Sequence, residues 1–151
     1  MKNRTLFKIR QLFFVAIAAA FFSFGCASTL PLENWSNNHP DASKALGEWV
    51  QSHKPAAHTL FEWDGNHPDR SKEFVNWTIN HPNLEVKAFV ALHPGWPELN
   101  EILISHLPGS VSFMEWCRKY PQAAKDLMKH QGGLQWAGNH LYAEQTNMKD
   151  Q

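Results

Sequence analysis

Cysteine is nearly missing from this sequence: Cys26 and Cys117 are the only two in 151 residues. They make no Cys-x-x-Cys motif, and a disulfide framework is excluded. No HExxH, no GxSxG and no Gly-rich phosphate loop occurs, so the familiar enzyme signatures are absent and a non-enzymatic role is expected. Ser110 and Ser112 precede an apolar stretch, and Ser112 with Glu115 matches a capping box, so helix-start duty is expected of them rather than nucleophilic duty. Long apolar runs are also lacking. The longest, Leu12 to Phe24, is broken by Ser23 and falls short of the roughly 18 residues of a transmembrane helix. Nor is there an excess of positive charge: Lys plus Arg and Asp plus Glu number 14 each. That leaves no basic stripe for nucleic acid.

What is present begins with an export signal. Lys2, Arg4, Lys8 and Arg10 form a basic start, the apolar run follows, and Gly25-Cys26-Ala27-Ser28 ends it. Gly-Cys after such a run resembles the lipobox of bacterial lipoproteins. The resemblance covers residues 1–28 and implies that residues 1–25 are removed and Cys26 is acylated. Ala27 after the Cys implies the outer membrane. Cleavage after Ala27 by an ordinary signal peptidase remains the alternative, and would give a soluble periplasmic or secreted protein. Without residues 1–25 the chain keeps ten basic side chains against 14 acidic ones. Its length suits one small domain, and Cys117, beside Trp116 in an apolar stretch, is expected to be buried.

The dominant feature is a repeat. Leu32–Ala45, Leu46–Thr59, Leu60–Glu73 and Phe74–Lys87 share a period of 14, with Trp35, Trp49, Trp63 and Trp77 each followed four residues later by His39, His53, His67 and His81. Pro comes directly after the His in three copies and one residue later in the second, at Pro55. In Pro68–His81, Pro opens a helix where its missing N–H has no partner. Asp69 suits the positive end of the helix dipole. Phe74, Trp77 and His81 form one helical stripe, and the next Pro disfavours helical geometry before it. Each repeat therefore predicts one helix of about nine to eleven residues with a two- or three-residue turn at Asn-His-Pro. Such helices are marginal alone, so packing of their Leu/Phe and Trp stripes must stabilise them.

The pattern then slips. Phe89 with His93, Ile102 with His106 and Trp116 with Tyr120 continue it with substitutions, and Trp136 with His140 closes it as a capping repeat. The expected fold is all-α: about eight short helices from tandem repeats, stacked as an irregular α-solenoid or a compact bundle. Residues 26–31 form a lipidated Cys and tether, 32–146 the helical repeat domain and 147–151 a polar tail. Cys26 and Trp35 are nine residues apart, so the tether reaches at most about 30 Å.

Nine His and seven Trp raise the question of metal or haem. Antiparallel helices would place successive same-edge histidines roughly 8–10 Å apart, whereas zinc holds each His nitrogen at about 2.0–2.1 Å. A structural role at helix ends is expected, each His bonding the last carbonyls and packing on its Trp. His58, outside the repeat frame, and His130, beside Gly132-Gly133, are the candidate metal ligands. Trp96, on the His93-Pro-Gly-Trp-Pro97 turn, is the candidate contact residue, or fills a gap where the period slips. The expected function is a lipid-anchored, non-enzymatic envelope protein without cofactor, offering a helical surface to another envelope component. The alternative is a periplasmic haem, zinc or copper carrier; its short helices ending in His-Pro-Asp/Asn are loosely similar to small secreted helical haem carriers at the level of the turn.

Overall fold

The computed structural model describes residues 30–148, with side chains from 32 to 141. The signal segment, Cys26 and the last three residues lie outside it. The described residues form nine helices: α1 (Leu30–Asn38), α2 (Pro40–Ser52), α3 (Lys54–Asn66), α4 (Pro68–Asn80), α5 (Val86–Leu92), α6 (Pro97–Ser105), α7 (Leu107–Lys119), α8 (Pro121–Met128) and α9 (Gly133–Met148). The expected all-α class is what is found. One compact unit starts at Trp35.

The helices are longer, and the turns shorter, than the sequence led us to expect. α2, α3 and α4 each run 13 residues and are separated by a single residue, His53 or His67. Thirteen helical residues plus one junction make the period of 14. One residue suffices because it ends one helix and starts the next. The His53 N–H donates to Trp49 O at 2.9 Å, while its carbonyl accepts from Ala57 N at 2.9 Å. His39, His67, His106 and Tyr120 repeat both bonds. A Pro in the first two helical positions, after each of these residues, then costs no hydrogen bond. Ser112 lies inside α7, not at its start; the helix begins five residues earlier, after His106. Ser110 sits in the first turn, and its Oγ donates to the His106 carbonyl at 3.1 Å.

Packing is nested rather than strictly sequential. α2 lies against α7, α3 against α6, and α4 against α7 and α8, so the chain doubles back after α4. The α2–α7 pair is reciprocal and antiparallel. Trp49, late in α2, donates its indole N–H to Gly109 O early in α7 at 2.9 Å; Trp116, late in α7, donates to Ala42 O early in α2 at 3.0 Å. Trp35 makes the same bond to Ala123 O of α8 at 2.8 Å. These approaches need small residues in the facing first turn, and Ala42-Ser43, Ala56-Ala57, Gly109-Ser110 and Ala123-Ala124 are all buried there. Phe74, Phe89 and Phe113 fill the centre, with ring centroids 4.9 Å apart for Phe74–Phe89 and 6.3 Å for Phe74–Phe113. Cys117 is buried as a free thiol, and burial pushes its pKa well up. Arg118 secures the reversal by donating to the carbonyls of Thr78, His81 and Leu84.

α9 is anchored by a buried acid. Asp64, 1% exposed, accepts from the backbone N–H groups of Leu134 at 3.1 Å and Gln135 at 3.2 Å, capping α9 from α3. Gly132 precedes this helix at φ 68, a left-handed conformation that suits glycine. Burial raises the Asp64 pKa, and the hydrogen bonds of Ser71, Gln135 and Leu134 pull only partly against that.

Substitutions at Gly109 and Asp64 test these contacts. A Cβ at Gly109 would stand 2.7 Å from Ala56 Cβ and 3.2 Å from His53 Cβ. Gly109→Ala should therefore lose about 1–3 kcal/mol to overpacking, more than the roughly 1 kcal/mol gained in helix propensity. A lower urea midpoint checks this. At Asp64 the folded-state pKa is raised, so its protonated form favours folding and stability falls as pH rises above the ordinary carboxylate range. The melting temperature of Asp64→Asn should gain on the wild type between about pH 4 and pH 7. Asp64→Ala, which strands two N–H groups, should lose about 1–3 kcal/mol.

Candidate functional site

The histidines at the helix junctions are engaged one by one. Nδ1 of His53, His67 and His81 donates to the carbonyl of the Trp four residues earlier at 3.3, 3.2 and 2.8 Å. His93 does the same to Phe89 at 2.8 Å. The rings also stack on those aromatics, with centroids 5.3 Å apart for Trp63–His67 and 4.5 Å for Trp77–His81. Repetition of one local geometry is the mark of an architectural residue. Among the described residues no group of three His, Cys, Asp or Glu side chains is placed to hold an ion. His58 stands on the surface with Nε2 3.9 Å from Glu62. His130 follows α8, where its carbonyl accepts from Gly133 N at 3.0 Å in the turn before α9.

Two histidines reach across to the other arm of the chain. His39 Nε2 lies 3.0 Å from Asp126, and His67 Nε2 lies 3.2 Å from Glu98. Lys129 at 2.6 Å, with Gln122 and His39, holds the Asp126 carboxyl down at about 2. Glu98 and Asp126 hold equivalent places 28 residues apart, and Ser112 stands midway between them, in register with His53.

The same register produces two sister grooves. One, of about 300 Å³, lies between Glu48 and Trp49 of α2 with the following His53 and Glu115 and Trp116 of α7 with the following Tyr120. The other, of about 380 Å³, lies between Glu62 and Trp63 of α3 with the following His67 and Glu101 and Ile102 of α6 with the following His106. Each α3 residue is 14 positions after its α2 counterpart, and each α6 residue 14 before its α7 counterpart. The grooves share a shape but not a chemistry. The α2–α7 groove carries Lys119 and Ser112 where the α3–α6 groove carries Ser105 and Glu98. Glu62, Glu98 and Glu101 thus face the second groove with no Lys or Arg among its lining residues.

Trp63 differs from its sister in a further way. Trp49 gives its indole N–H to Gly109, but the corresponding place in the α6 arm is Gly95, which sits in the turn before that helix starts. Trp96 occupies this turn instead. It is half-buried and packs against Trp63, Phe89 and His93 at centroid distances of 6.4, 5.7 and 5.4 Å, with Arg70 over its ring at 5.6 Å. The Trp63 N–H consequently has no acceptor among the described residues. It is not a sealed, unpaired atom either. The ring, 5% exposed, lines the groove.

The sequence contained a signal for this groove that our reading passed over. Glu immediately precedes Trp at 48–49, 62–63 and 115–116, and Ile102 at 101–102. On a helix whose Trp faces inward, that position borders the opening beside it. No protein-family model, no curated protein and no solved structure matches this chain.

Proposed function

We propose that this chain is a non-enzymatic, lipid-anchored cell-envelope protein that uses the α3–α6 face to hold another envelope component. The anchor rests on the lipobox resemblance at Cys26. The binding face rests on one observation: the repeat histidines and tryptophans are mostly spent on their own helices and helix pairs, whereas the α3–α6 groove is lined by three glutamates, one of them paired with His67, and by no Lys or Arg. The His67–Glu98 pair invites a hydrolytic reading of the same groove. Against it, the Glu62 and Glu98 side chains are 65% and 68% exposed, so water surrounds the carboxylates that such a reaction would use.

Labelled palmitate fed to cells should enter the wild-type chain, which should sediment with membranes, and should not enter Cys26→Ser. A photo-crosslinking residue at Ser105, on the groove, should give one discrete adduct in intact cells, and one at Lys119, on the sister groove, should not. An unlabelled wild-type chain would end the anchor reading. A saturable 1:1 haemin, Zn²⁺ or Cu²⁺ complex lost on changing one or two particular histidines would replace the binding-face reading with the carrier one.

A further inference from the structure

We propose that the outer face of α8 is the surface this domain lays on the bilayer that holds it, with Lys119, Lys125 and Lys129 among anionic phospholipid headgroups. This rests on the reading of Cys26 as a lipid anchor and adds which face of the domain that anchor brings to the membrane.

Charge is unevenly placed along the chain. Arg118, Lys119, Lys125 and Lys129 put four of the ten basic side chains that remain without residues 1–25 into one short stretch, with Asp126 as the one acid among them. The rest of that chain holds six basic side chains against 13 acidic ones. Separation of this kind points to a partner surface of negative sign for the basic stretch. The helix turns it outward. Ala123, Ala124, Leu127 and Met128 of α8 are buried, whereas Gln122, Lys125 and Lys129 form the opposite stripe and are exposed, beside an exposed Lys119. Asp126 is answered from within the domain by Lys129, Gln122 and His39. Lys119 lies over the Tyr120 ring at 5.4 Å, and Lys125 has no hydrogen bond or ion pair among the described residues. Arg118 is engaged by three backbone carbonyls, which leave its charge in place.

The second observation is where the chain enters the domain. Trp35 donates to Ala123 O in the first turn of α8 at 2.8 Å, and His39 reaches Asp126, one turn further on, at 3.0 Å. The tether from Cys26, at most about 30 Å long, therefore ends on α8. A tether this short holds the domain near the bilayer without orienting it. Charge does the orienting once the surfaces come within a Debye length of about 10 Å. One acyl anchor combined with a basic face is also the pairing of two signals that makes membrane attachment stable.

The test uses the full acylated chain extracted from membranes, carrying a fluorophore at Gln122→Cys on α8 or at Ala91→Cys on α5. Ala91 is exposed, and it lies on the arm that carries the exposed Leu92, Ile104 and Val111, the other face a bilayer could take. Cys117 is buried, and wild-type chain taken through the same labelling is the blank. The chain is reconstituted in phosphatidylcholine vesicles with nitroxide-bearing headgroups, with or without about one-third phosphatidylglycerol. The Gln122 label should be quenched at least about twofold more with phosphatidylglycerol than without it, and the Ala91 label should not respond. The double variant Lys119→Glu, Lys125→Glu should remove the difference, and so should added salt. The proposal is overturned by equal quenching at the two sites, or by stronger quenching at Ala91, which would put the apolar arm on the bilayer. It is overturned as well by a Gln122 signal indifferent to phosphatidylglycerol or to the two charge reversals. Flotation separates it from the anchor reading. A chain that floats with phosphatidylcholine alone yet fails these outcomes keeps its anchor and loses the α8 face. A chain that does not float without phosphatidylglycerol loses the anchor, and this proposal with it.

Discussion

The tryptophan-to-first-turn contact is the interaction on which the arrangement of this chain depends. An indole is the largest side chain available and carries a donor at its edge. When Trp49 and Trp116 each place that donor on a carbonyl of the other's helix, relative height and rotation of α2 and α7 are set together. The contact is possible only where the facing turn has almost no side chain. Gly109 has no side chain in that turn, and on its other side α3 also comes close, with Ala56 Cβ 2.7 Å from where a Gly109 Cβ would be. In α2 and α7 a large residue stands late and a small pair early, and that asymmetry makes an antiparallel partner fit and a parallel one clash.

The junction histidine supplies the other half of the geometry. It must bond the helix behind it and present a carbonyl to the helix ahead, and its ring must cover the exposed end of the Trp. Imidazole does all of this: Nδ1–H reaches the carbonyl four residues back while the ring face lies on the indole. Tyr120 shows which part is dispensable. It keeps both backbone bonds and packs on Trp116 at 6.3 Å, so the junction is a backbone property that the imidazole reinforces.

Much of this was legible in the sequence, and the reasons for the remainder are physical. Helix class, the role of Pro and the inward Trp stripe all follow from local spacing, which a periodic pattern displays directly. Helix length did not, because the residue before a Pro was read as a break when the His53 and His67 junctions spend only one residue on it. Nesting did not, because the partner of α2 lies beyond four intervening helices and nothing in a repeat says which other copy it will meet. Asp64 was invisible for a related reason: its position is apolar or neutral in sister helices, as Val50, Thr78 and Cys117, and only the distant arrival of α9 gives its carboxylate a purpose.

The groove on the α3–α6 face comes from the same regularity, broken once. Were the second arm to keep its period of 14 through residues 81–106, the site of Gly95 would lie in a helix and close on Trp63 as Gly109 closes on Trp49. The arm is shortened instead: α5 has seven residues, α6 has nine, and the turn between them brings in Trp96. An insertion or deletion in a repeat ordinarily costs packing, and here Trp96 restores the ring contacts while leaving the hydrogen-bond position vacant.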